Sequence, residues 1–357
     1  MVKPNNIPVV DLSSLNGSDN QRLELAQELK DVCHNVGFFI AINHGIPSRK
    51  VDQVFDCCHQ FFRLPVDQKR LIDKRNSPYF RGWESEGSEY TNNRPDIREQ
   101  IDLWTEHPPV TVGSQPDCLK LLGPNQWLPE TILPGFKAVV SDYIDEMKVL
   151  GDKLMGVLAI SLGLPVEHFD EMFGKTRMSL AKLIHYPETP SGEFGVNAHH
   201  DTGFLTILNP GEVPGLEIQL VDGSWMPVPI VKDGFVINLG EMLQAVTGNY
   251  YIATPHRVVA SAKRLSIGYF HGPALETSIE RLPLSHEYAD AVAVSPRHRN
   301  AGFMAPIMET QSGVGDMKGT LRASTFGEQL WNYFCRSYPD NVQRFYPDFQ
   351  APGVSKK

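Results

Sequence analysis

The chain has 357 residues, 41% hydrophobic and 21% charged, with a formal net charge of −9 at pH 7. That is ample for a large core in one domain, or in one domain with an intimate N-terminal lobe. With no block of basic residues, the composition argues against a face that reads nucleic-acid phosphates, while a small anion would need only one or two local cations.

Ser18 or Asp19 can cap a helix that carries Leu25, Ala26, Leu29, Val32, Cys33 and Val36 on one face and is stopped by Gly37. A second helix is expected around Val51 to Phe62. His44, in a turn beside Gly45, and His59, on this second helix, are assigned to structure. The spacing of Phe136, Val140, Tyr143, Met147, Leu154 and Leu158 predicts a long helix from Pro134 to Leu162, ended by Gly163 and Pro165. Its length suits a spine along the outside of a β-core. From Arg177 to about Pro273 short strands alternate with turns such as Asn209-Pro210-Gly211 and Val221-Asp222-Gly223. That is the texture of a jelly roll, or double-stranded β-helix.

Residues 295–324, with Gly302, Gly313, Gly315 and Gly319, read as a long loop, and a loop of this length is a candidate flap over a functional site. Phe326, Leu330, Tyr333 and Phe334 then mark a last amphipathic helix, ended at Tyr338-Pro339. The expected fold class is mainly β with flanking α. It comprises an N-terminal α/β region (1–120), the spine helix (121–175), a jelly-roll core (176–285) and a C-terminal loop and helix (286–357). Five cysteines without metal-type spacing point to a reducing compartment. The sequence shows no apolar signal run and no stretch near the roughly eighteen apolar residues of a membrane span. A cytoplasmic monomer with no membrane or nucleic-acid partner is the expectation.

The chemistry is concentrated in the core. His199 and Asp201 lie in Ala198-His199-His200-Asp201-Thr202-Gly203, and His256 in Thr254-Pro255-His256-Arg257-Val258. Each is weak alone, since His-x-Asp pairs arise by chance and a single histidine is often a core side chain. Together, two imidazoles and a carboxylate make a 2-His-1-carboxylate set that can hold Fe(II) and leave open positions. Lys263-Arg264-Leu265-Ser266-Ile267-Gly268-Tyr269-Phe270 alternates with period two, so Arg264 and Ser266 share one face of one strand. A permanently charged guanidinium with a hydroxyl two residues on suits a bound carboxylate. His200 should point away from His199 and is read as a packing residue.

Many ordered segments carry a resemblance over nearly the whole chain: Ile7-Pro8-Val9-Val10-Asp11-Leu12, Asn43-His44-Gly45-Ile46-Pro47, Tyr79-Phe80-Arg81-Gly82-Trp83, Pro95-Asp96-Ile97-Arg98-Glu99, Tyr186-Pro187, the His199 segment, Val236-Ile237-Asn238-Leu239-Gly240-Glu241-Met242-Leu243, and the His256 and Arg264 segments. The chain resembles the isopenicillin N synthase-like family of non-haem Fe(II) dioxygenases, most of which use 2-oxoglutarate. The resemblance implies iron ligation by His199, Asp201 and His256. It implies that 2-oxoglutarate is held by Arg264 and Ser266 with Tyr186 nearby, and that O2 is the second co-substrate. The family asparagine two residues before that tyrosine is Ile184 here, which leaves Lys182 or Asn197 to substitute.

By position, the resemblance nominates Tyr79, Arg81, Glu89, Arg98, Ile101, Leu103, Phe204 and Phe270 as the substrate pocket. Arg81 and Arg98 could instead pair with Glu89, Asp96 or Glu99. Several cations and aromatics suit a small polar acid, such as an amino-acid derivative of secondary metabolism, with a flat phenolic molecule as the alternative, oxidised by hydroxylation, desaturation or ring closure. The alternative is an oxidase of the same fold that does not use 2-oxoglutarate, in which Arg264 and Ser266 bind substrate.

Overall fold

A computed structural model describes residues 6–92, 94–110, 114–190, 193–301 and 325–349. Ser18 caps helix α1 (Asp19–Asn35) through a capping box with Gln21, and Gly37 follows in the left-handed conformation at φ 71°. Helix α2 spans Ser48–Phe62 and a single turn, α3, spans Val66–Lys69. The spine is α4 (Phe136–Ser161), which buries Val140, Met147, Leu154 and Leu158 among others. Each such side chain contributes roughly 1.5–3 kcal/mol by leaving water, which fixes the helix against the sheet.

Among the described residues, fourteen strands follow from the alternating segments: β1 (Val9–Asp11), β2 (Phe38–Ile42), β3 (Gly82–Glu84), β4 (Tyr90–Thr91), β5 (Arg94–Pro95), β6 (Glu99–Trp104), β7 (Leu180–Tyr186), β8 (Val196–His199), β9 (Leu205–Asn209), β10 (Leu216–Gln219), β11 (Trp225–Pro227), β12 (Phe235–Leu239), β13 (His256–Val258) and β14 (Arg264–His271). Eight form one sheet in the order β1-β2-β12-β9-β14-β7-β6-β3, and four form a second in the order β11-β10-β13-β8. Strands from the N-terminal stretch complete the large sheet, with β2 on β12 and β6 on β7, both antiparallel.

The two sheets face each other in a jelly-roll core. Phe38, Ile40, Ile184, Tyr186 and Val236 of the large sheet pack with Val196, Leu216, Ile218 and Val258 of the small one. The other face of the large sheet presents Leu183, Ile207, Ile237 and Ile267 to the main core, which includes the buried face of α4. A sheet covered on both faces needs apolar residues at successive positions, which explains the near-continuous runs in β9 and β12. Helix α5 (Glu241–Val246) follows β12 directly.

The loop expected from residue 295 starts instead as a helix. Pro296 sits in the first turn of α7 (Pro296–Asn300), just after α6 (His286–Val294), and a proline's fixed φ and missing N–H suit that position. The remainder of the suggested flap, 302–324, lies outside the described residues. The last amphipathic helix is α8 (Phe326–Ser337), and a further helix, α9 (Pro339–Phe345), begins at the proline that was expected to end the pattern. Among the described residues no helix is long and apolar enough to cross a membrane.

Candidate functional site

Pairing of two short strands brings the histidines together. His199 closes β8, His256 opens β13, and the two are directly opposed in the antiparallel ladder. Their ring centroids are 4.3 Å apart. Each Nδ1 donates to a backbone carbonyl two residues earlier, His199 to Asn197 at 2.8 Å and His256 to Thr254 at 3.2 Å. A carbonyl can only accept, so Nδ1 carries a proton, and in the neutral imidazole Nε2 keeps its lone pair. The Nε2 atoms of His199 and His256 lie 3.7 and 3.5 Å from Asp201 Oδ1. One ligand atom from each residue falls within 4.8 Å of the others, the only such group of His, Cys, Asp and Glu among the described residues.

The carboxylate is oriented as firmly as the imidazoles. Asp201 Oδ2 accepts from Thr206 Oγ1 at 2.5 Å and from Asn238 Nδ2 at 2.6 Å, which leaves Oδ1 turned to the histidines. The turn that carries Asp201 is held by the start of α5. Gly240 N–H donates to the Phe204 carbonyl, Glu241 N–H to that of Asp201 at 2.8 Å, and Met242 N–H to that of Gly203. These are the unpaired donors that every helix N-terminus offers. Gly240 has to be glycine, because a Cβ there would stand 2.0 Å from the Gly203 carbonyl oxygen.

Burial, and then the charge of neighbouring His256, pushes His199 down to about 3, so it is neutral at physiological pH. Burial works against the charge on Asp201, but the adjacent His256 and His199 and the Thr206 hydroxyl hold its carboxyl well below the usual range. Two imidazole nitrogens and one carboxylate oxygen facing a common point are the donor set that suits Fe(II). His200 does not join them. Its Nδ1 lies 3.8 Å from Glu241 Oε1.

Arg264 and Ser266 sit on one face of β14, opposite Tyr186 and Ile184 of β7. The Arg264 guanidinium lies 4.9 Å from the centre of the Tyr186 ring and donates from Nη2 to the Pro210 carbonyl. Its Nε is buried with no partner, and burial lowers its pKa, with Tyr186 only partly offsetting the loss. A buried cation with an unused donor fits an incoming carboxylate. Arg264 borders a hollow of about 1030 Å³ beside α2, and a second cavity reaches the histidines.

That second cavity, of about 250 Å³, is lined by His199, His200 and Asp201 together with Glu89, Arg98 and Phe270. Three of the eight nominated substrate residues are thus placed beside the triad, and five are not. Arg81 is fully buried and its guanidinium donates to the carbonyls of Thr105 and Leu121, so it ties β6 to the following segment. Phe204 packs edge-on against Phe169 and Phe173 in the main core. Tyr79 is packed over Gly123, where a Cβ would meet its ring.

Ile101 and Leu103 belong to the main core, because they occupy the face of β6 that turns away from the cavity. The residues between and beyond them, Asp102 and Trp104, line it instead, and Lys182 joins from β7. Lys182 is tied to Glu89 at 2.9 Å. Sequence reasoning also missed Thr206, Asn238 and Gly240. The signal was present in the Val236–Leu243 segment, where a polar Asn interrupts a buried apolar run and so needs a buried partner.

The profile described as non-haem dioxygenase in morphine synthesis N-terminal matches residues 7–130, and that of the 2OG-Fe(II) oxygenase superfamily matches residues 176–273. The chain is 30% identical to homoarginine-6-hydroxylase 2-ODD-233 of Oryza sativa subsp. japonica, over 80% of its own length and 92% of that protein. It is 32% identical to the 2-oxoglutarate-dependent dioxygenase frbJ of a Dothideomycetidae species, covering 77% and 76% of the two chains. Among solved structures, a 2OG-Fe(II) oxygenase family protein from Caulobacter crescentus superposes with a TM-score of 0.68 at 26% identity, over 89% of this chain and 99% of that one.

Proposed function

The chain belongs to the 2-oxoglutarate Fe(II) oxygenase superfamily, and we propose that His199, Asp201 and His256 hold its iron while Arg264 and Ser266 hold the distal carboxylate of 2-oxoglutarate. The enzyme is a 2-oxoglutarate-dependent dioxygenase acting on a small substrate. When bound, Fe(II) and 2-oxoglutarate with O2 supply the oxidation of an unactivated C–H bond, 2-oxoglutarate leaving as succinate and CO2.

The observation that carries the assignment is the way every competing polar atom of the triad is tied off. Nδ1 of each histidine is spent on a carbonyl and Oδ2 of Asp201 on Thr206 and Asn238, so that only Nε2, Nε2 and Oδ1 are left to converge. The protein's part is orientation and exclusion of water. Tyr186 lies beside the guanidinium of Arg264, and Ser266 places a hydroxyl on the same strand face. The cavity lined by Glu89, Arg98 and Phe270 would take the substrate beside the triad. The hydroxylase activity of the rice relative on homoarginine favours hydroxylation of a small, polar, amino-acid-derived molecule here.

The test is an anaerobic Fe(II) titration with and without 2-oxoglutarate, followed by the visible metal-to-ligand charge-transfer band. The band should require both components, and should be lost in Arg264→Ala at limiting 2-oxoglutarate. Bound iron without a band would move the assignment to an oxidase of this fold that does not use 2-oxoglutarate.

A further inference from the structure

Two methionines, Met178 and Met242, line the cavity beside the triad, and each is only 1% exposed. They differ in what holds them. The Met178 N–H donates to the Pro273 carbonyl, beyond the end of β14. Met242 is the second residue of α5, and its N–H lies 3.3 and 3.2 Å from the carbonyls of Thr202 and Gly203, the two residues that follow Asp201. The turn that carries the proposed carboxylate ligand is therefore fastened to the residue that carries this thioether.

A thioether accepts an oxygen atom more readily than any other group on this wall. Its sulfur is polarisable and offers a lone pair, whereas Phe270 and Trp104 of the same cavity would have to give up ring aromaticity. When 2-oxoglutarate is oxidised with no substrate in the cavity, one oxygen atom of O2 is left without a C–H bond to attack. A buried thioether beside the triad is then the acceptor at hand.

Resting on the dioxygenase reading above, we infer that Met242 is a self-modification site, converted to methionine sulfoxide during turnover without substrate. The step balances. One O2 and one 2-oxoglutarate give CO2 and succinate, whose new carboxylate keeps one oxygen atom. The other atom forms the S–O bond on a sulfur lone pair. The sulfur and 2-oxoglutarate each give up one electron pair to O2, no other bond of the methionine breaks, and no proton is transferred. The product is a polar, chiral group with almost no access to water, at the start of the helix that holds the Asp201 turn. A substrate in the cavity competes for the same atom, so oxidation of Met242 falls when the right substrate is supplied.

The experiment is tryptic mass spectrometry after aerobic incubation of the Fe(II) enzyme with 2-oxoglutarate and no added substrate, with and without catalase. Fragments 233–257, 178–182 and 183–232 each carry one methionine, respectively Met242, Met178 and Met226. Met226 of β11 is only half-buried and lies outside the cavity, so peroxide free in solution would reach it before Met242. Oxygen delivered inside the cavity reverses that order. The Met242 fragment should gain about 16 Da, one oxygen atom, ahead of the other two, only when Fe(II), 2-oxoglutarate and O2 are all present, and equally with catalase. Met242→Leu, a swap of similar volume, should remove the shift, which places the oxygen on the sulfur rather than on Tyr250 or Tyr251 of the same fragment. No shift, a shift that persists in Met242→Leu or vanishes with catalase, or a shift that comes first at Met178 or Met226 would overturn the inference. The anaerobic charge-transfer band of the same preparation separates the two levels. With the band present and Met242 unshifted, only this inference falls. With band and shift both absent, the 2-oxoglutarate assignment falls, and the inference with it.

Discussion

Asn238 of β12 and Thr206 of β9 stand directly opposite each other in the sheet, and both donate to the same oxygen of Asp201. Two neighbouring strands therefore grip one carboxylate from behind and leave its other oxygen for the proposed metal. Groups that orient a ligand in this way typically matter tenfold to a hundredfold in metal affinity. Asn238→Leu and Thr206→Val should each weaken Fe(II) binding by about that factor, with the double variant worse than either. Titration of the anaerobic apo-protein with Fe(II) measures it. Unaltered affinity in both single variants would mean that the backbone turn alone positions Asp201.

The proposed role of Arg264 rests on its planar, buried guanidinium. Replacing it by lysine keeps a positive charge but loses the fork and the ring contact with Tyr186. Arg264→Lys should raise the KM for 2-oxoglutarate roughly tenfold to a hundredfold and change kcat less, the pattern expected when binding shared by ground and transition states is removed. Initial rates of succinate formation against 2-oxoglutarate concentration decide it, and an unchanged KM would remove Arg264 from the co-substrate site.

The same strands show what could be read from residues alone. The triad, the Arg264–Ser266 face and the spine helix follow from local pattern, since each depends on a short spacing or a simple period. The wall of the cavity beside the triad does not, and β6 shows why. Gln100-Ile101-Asp102-Leu103 alternates, but alternation names two faces without saying which one meets the site. Here the usual rule of apolar side inward selects Ile101 and Leu103, and they do face a core, the one that includes α4. The second, polar face is buried too, over the cavity, because Asp102 is paired with Lys74 and Lys182. Those partners come from residues 74 and 182, and no local pattern reports such distant pairings. The role of Gly240 was hidden for a similar reason, since its constraint is the Gly203 carbonyl from a different segment.

That contact at Gly240 gives a prediction about stability and metal together. A methyl group placed 2.0 Å from a backbone oxygen cannot be absorbed by a side-chain rotation, so the turn of residues 201–204 must move away from α5. Overpacking of this kind typically costs about 1–3 kcal/mol. Gly240→Ala should lower the unfolding midpoint of the apo-protein by a few degrees and also reduce iron stoichiometry, because the hydrogen bond from Glu241 to the Asp201 carbonyl is part of what shifts. A variant that lost stability but bound iron normally would show that the turn can relax without carrying Asp201 with it.

Acid should loosen the junction between α1 and α7. His298 stacks on His34 at 4.1 Å, donates from Nε2 to the His34 carbonyl and, as a neutral ring, accepts from the Ser295 hydroxyl at Nδ1, while Arg297 beside it reaches the Asn35 carbonyl. Burial, and then the charge of the stacked His34, pushes the His298 pKa from 6.5 down to about 4. Burial also lowers that of His34, against the raising effect of its bond to the Tyr250 carbonyl. Because the folded value is depressed for a group that is cationic when protonated, the unfolded chain binds more protons between those limits. The stability is fully present above about pH 6.5 and falls as pH drops towards about 4, below which His298 adds no further loss. Going from about pH 7 to about pH 5, His298 alone should remove roughly 2 kcal/mol. His298→Phe, which keeps a stacking ring but cannot titrate, should flatten that part of the profile in urea unfolding. If wild type and variant lose stability in parallel over this range, the stacked pair is solvated well enough to protonate without strain, and the acid sensitivity of the fold arises elsewhere.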